Sequence, residues 1–174
     1  MSHAKRIFIA IILGVFFSSG MVGAKSKTKY IFPPYKSPKV VMEFYFDSPH
    51  KMAPALYWIR SLVNPLSESP YDHSLDFMNI VVVIHGREMV TLARKNYKKY
   101  KTVVERIRYY ASRGVKFRIC GLAMKDFGYK QEDFHDFVRI VPSAMADVVH
   151  WQSKGYGLLI PKVLVKKDRN SDIR

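Results

Sequence analysis

The chain contains one cysteine, Cys120, and its neighbours are of kinds that make a thiol reactive. Arg118 precedes it by two residues. Gly121-Leu122-Ala123-Met124 follows and reads as a short helix. A nearby cation and a helix N-terminus both stabilise a thiolate, the nucleophilic form of sulfur. The competing reading is a buried, inert cysteine, since free cysteine is among the most buried residue types. Other groups with chemical capacity end comparable apolar runs: Asp47-Ser48, His85-Gly86 and Pro142-Ser143. His85 reads as a proton-moving or substrate-orienting imidazole, or as an ordinary hydrogen-bonded strand-end residue. Ser143 reads as a helix cap whose hydroxyl, with the N–H groups after it, could hold an anion.

These groups need a scaffold that brings them together. Lys39-Val40-Val41-Met42-Glu43-Phe44-Tyr45-Phe46 is a β-branched and aromatic run, read as a first strand. A helix is expected from about Met52, with Pro54 in its first turn and Leu56, Ile59, Leu62 and Val63 as its apolar stripe. Asn64-Pro65 is expected to end it. Ile80-Val81-Val82-Val83-Ile84 is a continuous apolar run, as a strand covered on both faces should be. A short helix over Arg87 to Arg94 comes next, then a longer one over about Lys98 to Ser112. In the longer helix Tyr100, Val103, Val104, Ile107, Tyr110 and Ala111 share one face of a 3.6-residue period. Val115 to Cys120 and Val138 to Val141 read as the third and fourth strands. Ser143 then opens a last helix whose marked face is Met145, Val148, Val149 and Gln152, and Gly155 ends it. Tyr156 to Ile160 is the fifth strand. Strict alternation of this kind implies an α/β domain: a flavodoxin-like, three-layer arrangement around a mostly parallel five-stranded sheet. Ligands of such sheets bind at the carboxyl ends of the strands, where Asp47, His85, Cys120 and Ser143 all fall.

The third strand alternates Lys116 and Arg118 with Val115, Phe117 and Ile119. A strand buried on both faces should not do so. Cys120 shares the parity of the two cations, which points it to the wetter side of the sheet.

The ends of the chain read differently from its middle. Lys5 and Arg6, the apolar run Ile7 to Phe17, and small residues up to Ala24 have the layout of a secretory signal peptide, residues 1–24. The apolar run is shorter than the roughly 20 residues that an uncleaved anchor wants. Residues 25–37 read as an N-terminal arm, 38–162 as the folded domain, and 163–174 as a charged tail. A periplasmic or otherwise exported location follows from the leader. The formal net charge is +15; removing Lys5 and Arg6 with the leader leaves 27 basic and 14 acidic residues, a net of +13. Such a surface favours an anionic ligand, an acidic partner or an anionic membrane surface, and export removes nucleic acid as a partner. Lys95, Lys98, Lys99, Lys101, Arg106 and Arg108 make the middle helices basic, read as a solvated face or a patch for such a partner.

No phosphate-cradling glycine loop, Cys-x-x-Cys pair or Ser-His-Asp arrangement is present, so neither a cofactor nor a metal is expected. Glu132-Asp133-Phe134-His135-Asp136 lacks regular ligand spacing and reads as a solvated loop. His150-Trp151 reads as a packing pair against a neighbour or a second subunit.

Gly114-Val115-Lys116-Phe117-Arg118-Ile119-Cys120-Gly121-Leu122-Ala123-Met124 resembles the cysteine loop of the DsrE/DsrF-like family of sulfur-relay proteins. Val82-Val83-Ile84-His85-Gly86 is similar to that family's second strand. Val141 to Asp147, with Gln152, Gly155-Tyr156 and Pro161, resembles the ending of an exported DsrE-like branch. The resemblance covers about Pro38 to Pro161. It implies a trimeric or hexameric homo-oligomer and a sulfurtransferase-like carrier, in which Cys120 holds sulfur as a persulfide and passes it to a thiol or persulfide partner protein. His85, Gly86, Gly121 and Ser143 would then bind substrate around it. The best-known relatives work in the cytoplasm, so the leader is a departure from them. The alternative from another class is a non-catalytic oligomeric module that binds an anionic ligand or an acidic partner.

Overall fold

The apolar runs form strands that all pair in parallel. They are β1 (Lys39–Phe44), β2 (Asn79–Ile84), β3 (Lys116–Cys120), β4 (Val138–Val141) and β5 (Gly157–Leu159), in the spatial order β4-β3-β2-β1-β5. The helices are α1 (Met52–Ser67), α2 (Tyr97–Ser112), α3 (Gly121–Asp126) and α4 (Ala144–Ser153). The computed structural model describes residues 28–164 and 167–173, so the expected leader and the first residues of the arm lie outside the described residues. Residues Phe32–Arg174 form one unit, and residues 28–31, part of a separate N-terminal one, have no regular secondary structure. No helix among the described residues is long and apolar enough to cross a membrane.

Strand order decides where the helices go. From β1 through β4 the chain steps one strand at a time in a single direction. Right-handed crossovers then put every connecting helix on the same face of the sheet. Side chains of α1, α2 and α3 accordingly pack with Val40, Met42, Phe44, Ile80, Val82, Phe117 and Ile119 in the main core. After β4 the chain must travel back past the whole sheet to place β5 beside β1. That reversal sends α4 to the opposite face, where Ala144, Val148 and Trp151 pack on Val41, Val81, Val83 and Cys120. The segment leaving β3 therefore turns to one face and the segment leaving β4 to the other. Their carboxyl ends form the switch-point crevice at which open parallel sheets bind ligands.

The α/β three-layer class is as the alternation predicts, and several elements differ in detail. α1 runs on to Ser67 with Pro65 inside it. Pro65 sits in the last turn, where it deletes a single internal hydrogen bond, and burial of Leu66 one residue later holds the turn in place. The segment after β2 is 3-10 helix over Arg87–Leu92 and Arg94–Asn96, not an α-helix. α2 begins at Tyr97 and departs from helical geometry at Tyr100. On α4 the buried face is Ala144, Val148 and Trp151, whereas Met145 and Val149 are exposed. The small Ala144 and the amphipathic Trp151, not the larger aliphatics, face the sheet. The Glu132–Asp136 stretch is not simply solvated: Phe134 and His135 are buried, and an antiparallel bridge joins Phe134 to Ala93.

Candidate functional site

Cys120 ends β3 and is the N-cap residue of α3. It pairs in register with Val141, the last residue of β4, so it stands at the switch point itself. Its side chain lies on the α4 face, with the parity of Lys116 and Arg118 as expected. That face is roofed there by α4, and Cys120 is only 5% exposed. The wetter position expected from the neighbouring cations is thus overturned for the thiol, because the helix entering from β4 closes over it. The Sγ accepts a hydrogen bond from the backbone N–H of Ala144 at 3.3 Å. This N–H belongs to the first residue of α4, where backbone donors have no partner within the helix. Gly121 permits the close approach: a Cβ there would lie 3.0 Å from the Val141 carbonyl oxygen and 3.5 Å from that of Pro142. Ser143 caps α4, its Oγ accepting from the Ala146 N–H at 3.5 Å.

The row beside Cys120 on the α4 face is polar. β2 and β3 pair up to Ile84 and Ile119, which puts His85 in the position next to Cys120 along the edge. The imidazole turns toward β1: Nε2–H donates to Glu43 Oε1 at 2.9 Å, and the ring stacks on Tyr45 at 4.5 Å. One row back, Arg118 lies 3.6 Å from Asp147 of α4, an ion pair too long for a hydrogen bond. Trp151 donates its indole N–H to the same Asp147 oxygen at 3.2 Å. Lys116, Arg118 and Lys154 approach the Trp151 ring with the spacing of cation–π contacts. The expected packing role of Trp151 is therefore met within the chain.

Gly86 serves a residue that sequence reasoning missed. Glu88 is fully buried, and its carboxylate accepts from the N–H groups of Phe46 at 2.9 Å and Gly86 at 3.0 Å. It thereby ties the ends of β1 and β2 together. Burial pushes its carboxyl up to about 7 despite those hydrogen bonds. A Cβ on Gly86 would fall 2.3 Å from Glu88 Oε2 and 2.4 Å from the Phe46 nitrogen, so only glycine fits. An acid two residues beyond a strand-ending glycine was the available signal, and Glu43 within an apolar strand was the corresponding one for the His85 partner. The Ala144 N–H left no trace in residue types, because it is a backbone group.

Beside this edge a cavity of about 380 Å³ is lined by Tyr45, Asp47, Lys51, Gly86, Arg87 and Phe127. The Asp47 carboxyl is held below its usual range by a hydrogen bond from Lys51, 2.8 Å away. Cys120 and Ser143 do not line this cavity. The structure thus groups Cys120, Gly121 and Ser143 at the β3–β4 crevice and places His85 and Gly86 on the β1–β2 side of the same edge. Among the described residues no cluster of three or more His, Cys, Asp or Glu side chains is placed to hold a metal ion.

The fold has counterparts. The family model for DsrE/DsrF-like proteins matches residues 40–161, and the chain belongs to that family, which is associated with sulfur relay in general. Among solved structures, the chain is similar to MTH1491, a protein of unknown function from Methanobacterium thermoautotrophicum, at 21% identity and a TM-score of 0.57. The match covers 71% of this chain and 99% of that one, and at this identity it speaks for the fold alone. A search of curated proteins gives no match.

Proposed function

We propose that this protein is a sulfur carrier that holds sulfane sulfur as a persulfide on Cys120. The observation that carries the reading is the Ala144 N–H aimed at the Cys120 Sγ from 3.3 Å, at the strand-switch crevice of a DsrE-like fold. A thiolate or persulfide anion there accepts a hydrogen bond from a fixed backbone donor. In the first step the Cys120 thiolate attacks the outer sulfur of a donor persulfide, R–S–S⁻. A new S–S bond forms to Cys120, the donor S–S bond breaks, and R–S⁻ leaves. In the second step an acceptor thiolate attacks the same outer sulfur, takes it as a persulfide, and restores the Cys120 thiolate. Each step exchanges one S–S bond for another, so no external oxidant or reductant enters. His85, with Glu43 fixing one side of its ring, is the titratable group best placed along the edge to move a proton or orient a donor.

Burial of Cys120 means that the roof over it, the start of α4, must lift or exchange partners during transfer. Mass spectrometry of the native protein after polysulfide treatment is expected to find one added sulfur on Cys120, removable by a thiol reductant and missing in Cys120→Ser. A native protein that gains none, while the unfolded chain does, would sink the reading.

The reading extends to location and assembly. The chain is exported, with cleavage near Ala24, and assembles as a trimer or hexamer through surfaces that include the exposed Leu122, Met145 and Val149. N-terminal sequencing and native mass spectrometry test both; a retained leader or a monomer would count against them.

A further inference from the structure

His135 is a buried polar group that the sulfur chemistry does not use. It is 8% exposed, and its Nε2 is shut off from solvent without a hydrogen-bond partner. Phe137 stacks on the ring at 5.3 Å and Tyr97 meets it edge-on at 5.8 Å. His135 also lines a cavity of about 670 Å³ along β4, the strand that ends the sheet order. Arg94 and Arg139 line the same cavity. Each is oriented by a local backbone bond: Arg94 Nε donates to the Phe134 carbonyl at 2.8 Å, and one Arg139 nitrogen donates to the carbonyls of Asp136 and Val138. Both guanidinium groups keep other N–H donors uncommitted by these bonds.

We propose that this cavity binds a small oxyanion between Arg94 and Arg139, against the wall that His135 helps to form. Two guanidinium forks are the chemistry that recognises phosphate-like anions. Glu132 and Asp136 share the rim, so the local charge is nearly balanced and a long polyanion gains nothing there. Burial, together with Arg94 and Arg108, pushes His135 below the usual histidine range, while Asp136 and Glu105 oppose the shift. A bound anion reverses part of that effect, because it stabilises the imidazolium. The site stands independently of sulfur transfer at Cys120. One wall connects the two: Ile140 lines the cavity, and its Cγ2 lies 3.5 Å from where a Cβ on Gly121 would be.

The test is an NMR titration of the histidine ring signals in the purified full chain, using inorganic phosphate against sodium chloride at fixed ionic strength. Phosphate is expected to shift the His135 signals saturably and to raise the pH at which they titrate. Arg139→Gln and Arg94→Gln are each expected to weaken that binding about tenfold or more. Should Arg94→Gln fail to fold, Arg139→Gln decides, since Arg139 is exposed and its bonds are local. A parallel titration with phenyl phosphate separates a free anion from a phosphoryl group carried on a larger molecule: binding of the ester admits the second source, and its exclusion assigns the first. Equal shifts from chloride, absence of saturation, or binding unchanged in Arg139→Gln would overturn the proposal.

Discussion

The face of the sheet under α1 and α2 is packed by Met42, Phe44, Ile84, Phe117 and Ile119 against Leu56, Ile59 and Ile107, all with no more than 1% exposure. The face under α4 has a far smaller apolar set, and Glu43, His85, Arg118 and Asp147 stand among it. Three connections run over the first face and one over the second, so among the described residues the ten-residue α4 is the helix that roofs the latter. Continuous apolar burial supplies most of the stability of such a domain. The thinly covered face can hold charge because water and paired partners remain within reach. Cys120 lies at the border of these two regimes: apolar neighbours below it, an ion-paired row beside it, and a helix start above it. A division of labour follows, with one face holding the fold and the other presenting the thiol.

Substitutions on the two faces should separate these roles. Phe117→Ala, on the densely packed side, is expected to cost about 3–5 kcal/mol in denaturant unfolding. It should leave Cys120 alkylation unchanged below the unfolding transition. Comparable alkylation gains from this variant and from one under α4 would break the division. The next largest effect belongs to Glu88, the carboxylate buried at the end of the packed side. Its folded-state value of about 7 lies above the ordinary value of 4.5. The associated stability is therefore fully present below about pH 4.5 and is lost as pH rises through about 7, on the order of 3 kcal/mol in total. Unfolding free energies of wild type and Glu88→Gln measured across that window should diverge in slope, and parallel curves would refute the assignment.

Smaller effects sharpen the picture of the α4 roof. Val148→Ala removes two methyl groups packed in the Cys120 cluster and should cost about 1–2 kcal/mol. The same variant should raise the rate of thiol alkylation in the native protein, because the roof opens more readily. An unchanged rate would place the route to Cys120 elsewhere than beneath α4. Val149→Ser, one residue on but 64% exposed, is expected to change monomer stability by no more than about 0.5 kcal/mol. A drop in oligomer size with unchanged monomer stability would mark it as a subunit contact.

Much of this layout is legible in the sequence. The run Ile80–Ile84 announced a strand covered on both sides, and the 3.6-residue spacing of Val104, Ile107 and Tyr110 marked the buried stripe of α2. Position at the carboxyl edge was legible for Cys120 as well, because alternation of elements fixes which ends of the strands lie together. The partners were harder to read. His85 meets Glu43 across 42 residues of sequence and Arg118 meets Asp147 across a helix-to-sheet contact, and no local period reports such pairings. His135 was masked by its acidic neighbours: average polarity hid an imidazole that is itself buried.

The sequence by itself determined the class of fold, the strand on which the thiol sits and the edge at which it emerges, since these depend on periodicity and on the handedness of crossovers. Only the tertiary structure decided whether the thiol is open or covered. That depends on the one long-range reversal, from β4 back to β5, which lays α4 over the sheet and brings the Ala144 N–H to the Cys120 sulfur. A backbone donor has no letter in the sequence, and the direction of a strand reversal is set by the packing of the whole sheet.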